Sequence, residues 1–393
     1  MVLKNKKILL GITGSVAAYK SIELTRRLVE EGASVQVVMT DAASRFATPL
    51  SFEVASRQKV YSDMFADPLS HIDLPSDADV FVVAPATANS IGKFAHGIAD
   101  DLPSACMLSY RGKVVIAPAM NWRMYENPVF RKNMDALRSL GMVQVGPGTG
   151  SLACGDNAVG RMAEVDEIIE AIRSVLSTQD FSGKKVVVTA GPTREYIDPV
   201  RFISNRSSGK MGFAVARAAM RRGAAVTLIT GPTNLGPPPN AEVITVETAA
   251  EMREAVFRSL ECDVLVMTAA VADFSPAARG EQKIEKCDAL TLELVKTPDI
   301  LSEIGAMHEK PILVGFSAET GPDIERARRK GIEKGVDIMV FNDVLSPGSG
   351  FDVDTNEITI LGGNESISVP LTTKDGAAEA LLDRVAHLFL DFS

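Results

Sequence analysis

Cysteine is scarce in this 393-residue sequence: four residues, at 106, 154, 262 and 287, with no Cys-x-x-Cys pair. Such spacing favours reduced thiols in a cytoplasm over a disulfide framework or a structural zinc site. The four histidines, at 71, 96, 308 and 387, are equally dispersed and suggest no metal cluster. No apolar run reaches the roughly 18 residues needed to span a bilayer. The early run ILLGI is too short for the apolar region of a signal peptide and continues into a strand–glycine–helix pattern. Excess positive charge is also missing. A net charge of −9 argues against a general nucleic-acid binder, whose affinity comes from clustered lysine and arginine. Two glycine fingerprints are absent as well, G-x-G-x-x-G and the Walker A pattern G-x-x-x-x-G-K-[ST].

What is present reads as a globular chain, 46% hydrophobic and 23% charged, and long enough for two domains. Two segments open alike. KKILLGITGSVAAYKSIELTRRLVEEGASVQVVMT (6–40) is strand, glycine turn, amphipathic helix and strand, with Gly32 at the helix end. KKVVVTAGPTREY (184–196) followed by SSGKMGFAVARAAMRRGAAVTLIT (207–230) repeats this with a longer turn and Gly223 at the helix end. Each is a β-α-β unit, implying parallel strands and a right-handed crossover. The polar junction VLSTQDFSGKK (175–185) separates an expected first domain, 1–178, from a second, 181–393. The expected fold class is α/β, two doubly wound Rossmann-like domains with mainly parallel sheets. GFDVDTNEITIL (350–361) reads as a hairpin turning at DTN, so the second sheet is expected to end mixed.

Several strands run into polar tails. DVFVVAPATAN (79–89) and KVVIAPAMN (113–121) both read strand, Ala-Pro-Ala, then asparagine. Ligands of parallel sheets sit beyond the carboxyl ends of strands, so Asn89 and Asn121 are either a ligand rim or caps of the following helices. Gly14 and Ser15 leave a phosphate-binding helix start possible. Asp41, after the second strand, could face a ribose, so a nicotinamide cofactor is weakened without being excluded. A mononucleotide such as FMN needs only the phosphate nest that TGSVAA (13–18) would provide. SLACGDNAVGRM (151–162) sets Cys154 among glycines, where the thiol is a small apolar filler, a redox group or an acid.

In combination the motifs become specific. The first half resembles the flavin-containing cysteine decarboxylases, through PATANS (85–90), PAMNWRMY (118–125), SHIDL (70–74) and ACGDNAVGRM (153–162). Tyr125 stands where that family usually has tryptophan. The second half resembles phosphopantothenate–cysteine ligases, through TAGPTREYIDPVRFISNRSSGKMG (189–212), TAAVADF (268–274) and KIEK (283–286), with Glu285 inside a stretch that is usually lysine-rich. Together they resemble the fused bifunctional family of coenzyme A biosynthesis.

The resemblance implies FMN at Gly14, Ser15, Thr40, Pro85, Asn89, Ala117 and Met120. It implies CTP, with Mg²⁺, at Asp273, Lys283, Pro298, Asp299, Ile300, Leu301, Phe316, Lys330 and Lys334, Asp273 holding nucleotide or metal. The implied substrates are 4′-phosphopantothenate, cysteine and CTP, in a homo-oligomer of trimeric flavin domains joined by ligase dimers, with no nucleic-acid or membrane partner. Asn205 would contact an acyl-cytidylate and Lys283 the charge developing at the α-phosphate. The competing reading is a two-domain NAD(P)-dependent flavin oxidoreductase.

In the decarboxylase reading Asn121 binds the substrate carboxylate and His71 is the acid/base group of the oxidative half. Cys154 then protonates the enethiol left after CO₂ departs, a role suited to a thiol that stays mostly protonated at neutral pH. Cys154→Ser is therefore expected to release CO₂ but accumulate a decarboxylated product two hydrogens lighter than phosphopantetheine, whereas His71→Asn stops before CO₂ is lost. Mass spectrometry of single-turnover mixtures separates the two, and normal phosphopantetheine from the serine variant would refute the acid role.

Overall fold

The computed structural model describes residues 2–151, 155–285, 288–363 and 365–391. The chain divides into two compact units, Met1–Ser177 and Thr178–Ser393. In the first, β1 (Lys7–Ile12), β2 (Ser34–Met39), β3 (Val80–Ala86), β4 (Lys113–Pro118) and β5 (Val143–Gln144) form a sheet of order β2-β1-β3-β4-β5. All of its pairings are parallel. Separately, β6 (Gly148–Ser151) and β7 (Asn157–Arg161) pair as an antiparallel ribbon, where glycine content alone suggested a loop.

The apolar strands explain the layers. Along β1, Ile8, Leu10 and Ile12 join one buried cluster while Leu9 joins the other. On β3, Val80 and Val82 face the first cluster, and Phe81 and Val83 the second. Successive strand residues point to opposite faces, so a strand apolar at every position must be covered on both sides, as in parallel α/β sheets. The helix Ala18–Glu30 covers one face with Leu24 and Leu28, and the helix Ala88–His96 covers the other with Ile91 and Phe94. Each such large side chain taken fully out of water contributes roughly 1.5–3 kcal/mol.

The second unit repeats the plan on a larger scale. Its strands are β8 (Lys185–Ala190), β9 (Arg194–Tyr196), β10 (Phe202–Ser204), β11 (Ala225–Thr230), β12 (Glu242–Thr245), β13 (Val264–Met267), β14 (Phe274–Pro276), β15 (Leu294–Lys296), β16 (Ile312–Glu319), β17 (Ile338–Asp343), β18 (Thr355–Gly362) and β19 (Glu365–Thr373). The main sheet runs β12-β11-β8-β13-β16-β17-β18-β19. It is parallel as far as β17 and antiparallel through β18 and β19. The mixed end matches expectation, but the turn does not. Asp354-Thr355-Asn356 opens β18, and the reversal falls between Gly362 and Glu365. Asn356 is 3% exposed and its side chain accepts from Asn342 at 2.7 Å; a strand-to-strand amide contact thus uses a residue that composition assigns to a turn.

Among the described residues no helix is long and apolar enough to cross a membrane. Two consecutive arginines close the helix Lys210–Arg221 and tie it to the C-terminal helix Lys374–Asp391. Arg221, 2% exposed, pairs with Glu379 at 3.0 Å; Arg222 pairs with Asp383 at 2.7 Å and donates to Asp180 at 2.9 Å. Burial raises the Glu379 carboxyl above its ordinary range even though Arg221 opposes it. Removing one partner of a buried pair costs about 3–5 kcal/mol because a charge is left unmatched. Arg221→Met is expected to lower the urea midpoint of this unit more than Arg222→Met, because Arg222 lies 3.8 Å from Glu379 and its nearer carboxylate partners, Asp180 and Asp383, are more exposed and can rehydrate. Far-UV circular dichroism during urea titration reads both, and the reverse order would show that the Arg221–Glu379 pair is not the tighter clamp.

Candidate functional site

In the first unit the strand order reverses between β1 and β3, and a cleft of about 900 Å³ opens over the carboxyl ends of the strands. Gly14 and Ser15 follow β1, Thr40 and Asp41 follow β2, Thr87, Ala88 and Asn89 follow β3, and Ala119 and Met120 follow β4; all line it. The buried Thr13 hydroxyl ties this rim together, donating to the Pro85 carbonyl at 2.8 Å and accepting the Thr87 amide at 2.9 Å. Thr87 in turn caps the helix Ala88–His96 through the Ser90 amide. Thr40 likewise caps the short helix Asp41–Ser44, so its side-chain oxygen already serves the backbone.

Two observations bear on the fit of a phosphate-bearing flavin to these residues. The helix Ala18–Glu30 starts with no side-chain cap from Ala17, directly after the turn that carries Gly14 and Ser15, where Ser15 Oγ accepts the Ala17 amide at 3.3 Å and the Ser15 carbonyl accepts the Ala18 amide at 3.0 Å. At Gly14 an added Cβ would lie 2.5 Å from the Ala42 Cβ, so only glycine lets this turn pass so close to the next strand's exit. Met64, Phe65, Leu102, Met120 and Met124 supply apolar wall, and Ser62 and Ser90 supply hydroxyls. Lys93 bridges Asp100 at 2.6 Å and Asp101 at 2.7 Å on the same lining. Burial disfavours its charge, yet both carboxylates outweigh that and raise its pKa.

Other expected residues fall behind or beside the cleft. Pro85 and Ala117 are buried strand residues that do not line it; Pro85 acts through its carbonyl. His71 and Asn121 do not line it either. Asn121 caps the helix Trp122–Tyr125 by accepting the Arg123 amide at 2.9 Å, whereas the cap of the earlier helix is Thr87 and leaves Asn89 on the cleft. His71 sits on the helix Ser70–Ser76; its carbonyl accepts the Ser109 hydroxyl at 2.6 Å, and its Nδ1 is buried with no hydrogen-bond partner among the described residues. Cys154 lies outside the described residues. The ribbon flanking it is fastened to the Asn121 segment, because the Met120 amide donates to the Gly160 carbonyl at 3.0 Å.

The second unit has its own strand-end cleft, of about 670 Å³. Asn205, Asp273, Pro298, Asp299, Ile300, Leu301, Phe316, Lys330 and Lys334 all line it. One wall is the start of the helix Lys210–Arg221, preceded by Ser207, Ser208 and Gly209. This helix presses onto the sheet at Gly212, where a Cβ would lie 2.4 Å from Thr268 Oγ1 and 2.6 Å from Ala190 Cβ. Asn205 is held by Nδ2 donating to the Val271 carbonyl at 2.9 Å. Lys334 pairs with Asp299 at 3.0 Å and Lys330 with the buried Glu319. Burial alone would raise the Asp299 carboxyl, but the Ser302 amide and Lys334 hold it below its ordinary range. Glu319 is likewise lowered against its burial by Lys330 and Ser317.

Lys283 is not part of this lining. It is exposed on the segment between β14 and β15, without a partner among the described residues. Its neighbour Ile284 is anchored, its amide donating to Asp198 at 3.2 Å and its carbonyl accepting from Arg201 at 3.0 Å. No group of three or more His, Cys, Asp or Glu side chains that could hold a metal ion occurs among the described residues. Mg²⁺ ordinarily takes one or two carboxylates plus substrate phosphates, and Asp273 on the cleft fits that use.

Comparison with known proteins gives these clefts a family. The flavoprotein family model matches residues 2–177, and that of the DNA/pantothenate metabolism flavoprotein C-terminal domain matches 181–389. The coenzyme A biosynthesis bifunctional protein CoaBC of Bacillus subtilis (strain 168) is 45% identical over a 398-residue alignment covering 98% of this chain and 98% of that protein. The chain belongs to the coenzyme A biosynthesis bifunctional protein family. The family member from Escherichia coli (strain K12) is 43% identical, over 98% of each chain. Among solved structures, the C-terminal domain of such a CoaBC protein is 39% identical, covering 55% of this chain and 100% of that one at a TM-score of 0.48.

Several cleft residues carry no sequence signal of their own. Lys93, Met64 and Phe65 in the first unit, and Lys296 and Lys374 in the second, line the clefts from segments whose composition is ordinary surface, strand or helix.

Proposed function

We propose that the second unit couples cysteine to 4′-phosphopantothenate with CTP, and that the first unit decarboxylates the product to 4′-phosphopantetheine with FMN. The observation that carries this reading is the pairing, in one chain of this family, of two strand-end clefts of opposite character. One has a hydroxyl-lined helix start and an apolar wall; the other is rich in basic side chains.

In the ligase unit the phosphopantothenate carboxylate attacks the α-phosphorus of CTP, and the bond to the β-phosphate breaks to release pyrophosphate. The cysteine amine then attacks the acyl carbon, CMP leaves, and the amine loses a proton. Lys283 offsets charge developing at the α-phosphate, where a fixed cation lowers the barrier; for this the segment between β14 and β15 must fold onto the cleft. Asn205, positioned by Val271, faces the acyl group. Phe316, Lys330, Lys334 and residues 298–301 hold the nucleotide, and Asp273 its Mg²⁺.

In the decarboxylase unit Gly14, Ser15, Thr40, Asn89 and Met120 would hold FMN, which would supply reversible hydride acceptance; the thioaldehyde left by oxidation of the cysteinyl CH₂SH is the electron sink for loss of CO₂. Asn121 orients the substrate carboxylate, His71 moves the proton of the oxidative half, and Cys154 holds the proton delivered to the enethiol. A buried imidazole nitrogen without a partner is costly, which supports a ligand or neighbouring subunit completing the site at His71. Exposed Val16, Tyr19, Phe65, Leu69 and Ile72 support association of flavin units there, in a homo-oligomer.

Incubation of the full chain with phosphopantothenate, cysteine and CTP should yield phosphopantetheine, CMP, pyrophosphate and CO₂ by mass analysis. In the absence of cysteine, Lys283→Gln should suppress pyrophosphate release by at least about tenfold, while Asn205→Asp should still release it and stall afterwards. Parental release from both variants would overturn this division of roles. For the flavin cleft, the purified chain should show FMN absorbance, and Gly14→Val should lose it while keeping its far-UV circular dichroism. Flavin retained by the Gly14→Val variant would place the phosphate elsewhere.

A further inference from the structure

Lys374 takes no part in the chemistry above, yet it is the buried member of the cation set on the ligase cleft. Six basic side chains line that cleft, Arg206, Lys210, Lys296, Lys330, Lys334 and Lys374, against two acids, Asp273 and Asp299. Four of the six are matched by carboxylates: Arg206 by Asp352, Lys210 by Asp354, Lys330 by Glu319 and Lys334 by Asp299. Lys296 is exposed to solvent. Lys374 is 6% exposed, and its Nζ donates to neutral oxygens alone, the carbonyls of Gly350 at 3.0 Å and Phe351 at 3.1 Å. No carboxylate among the described residues lies within ion-pair reach of it.

The same Phe351 carbonyl accepts the hydroxyl of Ser208. Lys374 and the turn Ser207-Ser208-Gly209 that starts the helix Lys210–Arg221 therefore meet at one place in the cleft. An ammonium taken out of water without a counter-ion is costly. Burial, with Lys210 adding to it, pushes the Lys374 pKa down to about 8 against the opposing pull of Asp354 and Asp352. Two of its three N–H donors are used on the carbonyls, so one donor and the whole charge are available to an anion. With the Ser208 hydrogen spent on Phe351, the surroundings offer the Ser207 hydroxyl, helix amides and an ammonium, a set suited to phosphate oxygens rather than to a base or an acyl chain.

We propose that Lys374, with Ser207, Ser208 and the first turn of the helix Lys210–Arg221, binds the outer phosphates of the nucleotide and so holds the leaving pyrophosphate. This rests on the nucleotide reading of the second cleft. As pyrophosphate separates, negative charge grows on the β-phosphate oxygen, and a fixed ammonium there stabilises it.

Equilibrium binding of CMP, CDP and CTP to the full chain tests the assignment. The parent should bind CTP more tightly than CMP. Lys374→Gln should weaken CTP by about ten- to hundredfold, the loss expected for one charge-assisted contact, while leaving CMP within about twofold. Lys374→Arg, which keeps the charge, should stay within about threefold of the parent for CTP. Equal weakening of CMP and CTP would mark a structural lysine and overturn the proposal, as would unchanged CTP binding in the glutamine variant. A parent chain that binds no cytidine nucleotide would instead fail the underlying reading, and this one with it.

Discussion

Burial of both faces of a parallel sheet leaves the strand ends as the place where polar side chains can gather. In β3 every residue is buried, and in β8 every residue after Lys185, so neither strand can present chemistry along its length. The alternating clusters above and below each sheet oblige a helix to follow each early strand and return over it. Each return begins with a turn at the carboxyl end, and those turns carry Gly14, Thr40, Thr87 and Asn89 in one unit and Ser208, Gly209 and Asp273 in the other. Both clefts follow from that single constraint.

The two clefts solve different electrostatic problems on the same framework. The first pairs its one lining lysine, Lys93, with Asp100 and Asp101, leaving hydroxyls, amides, thioethers and the carboxylates of Asp41 and Asp63 as the available surface. The second gathers cations and then restrains most of them with carboxylates from neighbouring elements, Glu319 on β16, Asp299 before the helix Ile300–Gly305, and Asp352 and Asp354 before β18. Restraint limits the rotamer freedom that long side chains otherwise lose on binding an anion. Lys374 is restrained by carbonyls and packing instead, and Lys296 stands exposed without a carboxylate partner among the described residues.

Much of the fold was legible because its signal is local. The strand–turn–helix–strand patterns at 6–40 and 184–230 depend on the spacing of apolar residues and on glycines within one β-α-β unit. The α/β class and parallel sheets followed from them, and the linked motifs from PATANS to VADF indicated the family. The hairpin at the end of the second sheet was legible in kind but not in register. Asn356 pairs with Asn342 across β17 and β18, a long-range contact that outweighs the turn preference of Asp-Thr-Asn. Capping was ambiguous for the same reason: Thr87 rather than Asn89 caps one helix, while Asn121 caps the next.

The candidate sites divide along the same line. Sequence by itself determined which strand ends carry small and polar residues, since these sit immediately after apolar runs. That was enough to mark Gly14, Ser15, Asn89 and Asn121 before any coordinates, whereas Thr40, Met120, Asn205 and Asp273 were marked by the family resemblance. Tertiary structure alone decided that Pro85 and Ala117 stand behind the cleft, that Lys283 stands off the lining, and that His71 keeps a buried nitrogen without a partner among the described residues. It also decided that Lys374, 166 residues after Ser208 in the numbering, shares the Phe351 carbonyl with it. No spacing rule reaches across such a separation, because the order of strands in the sheet, rather than their order in the chain, sets which ends become neighbours.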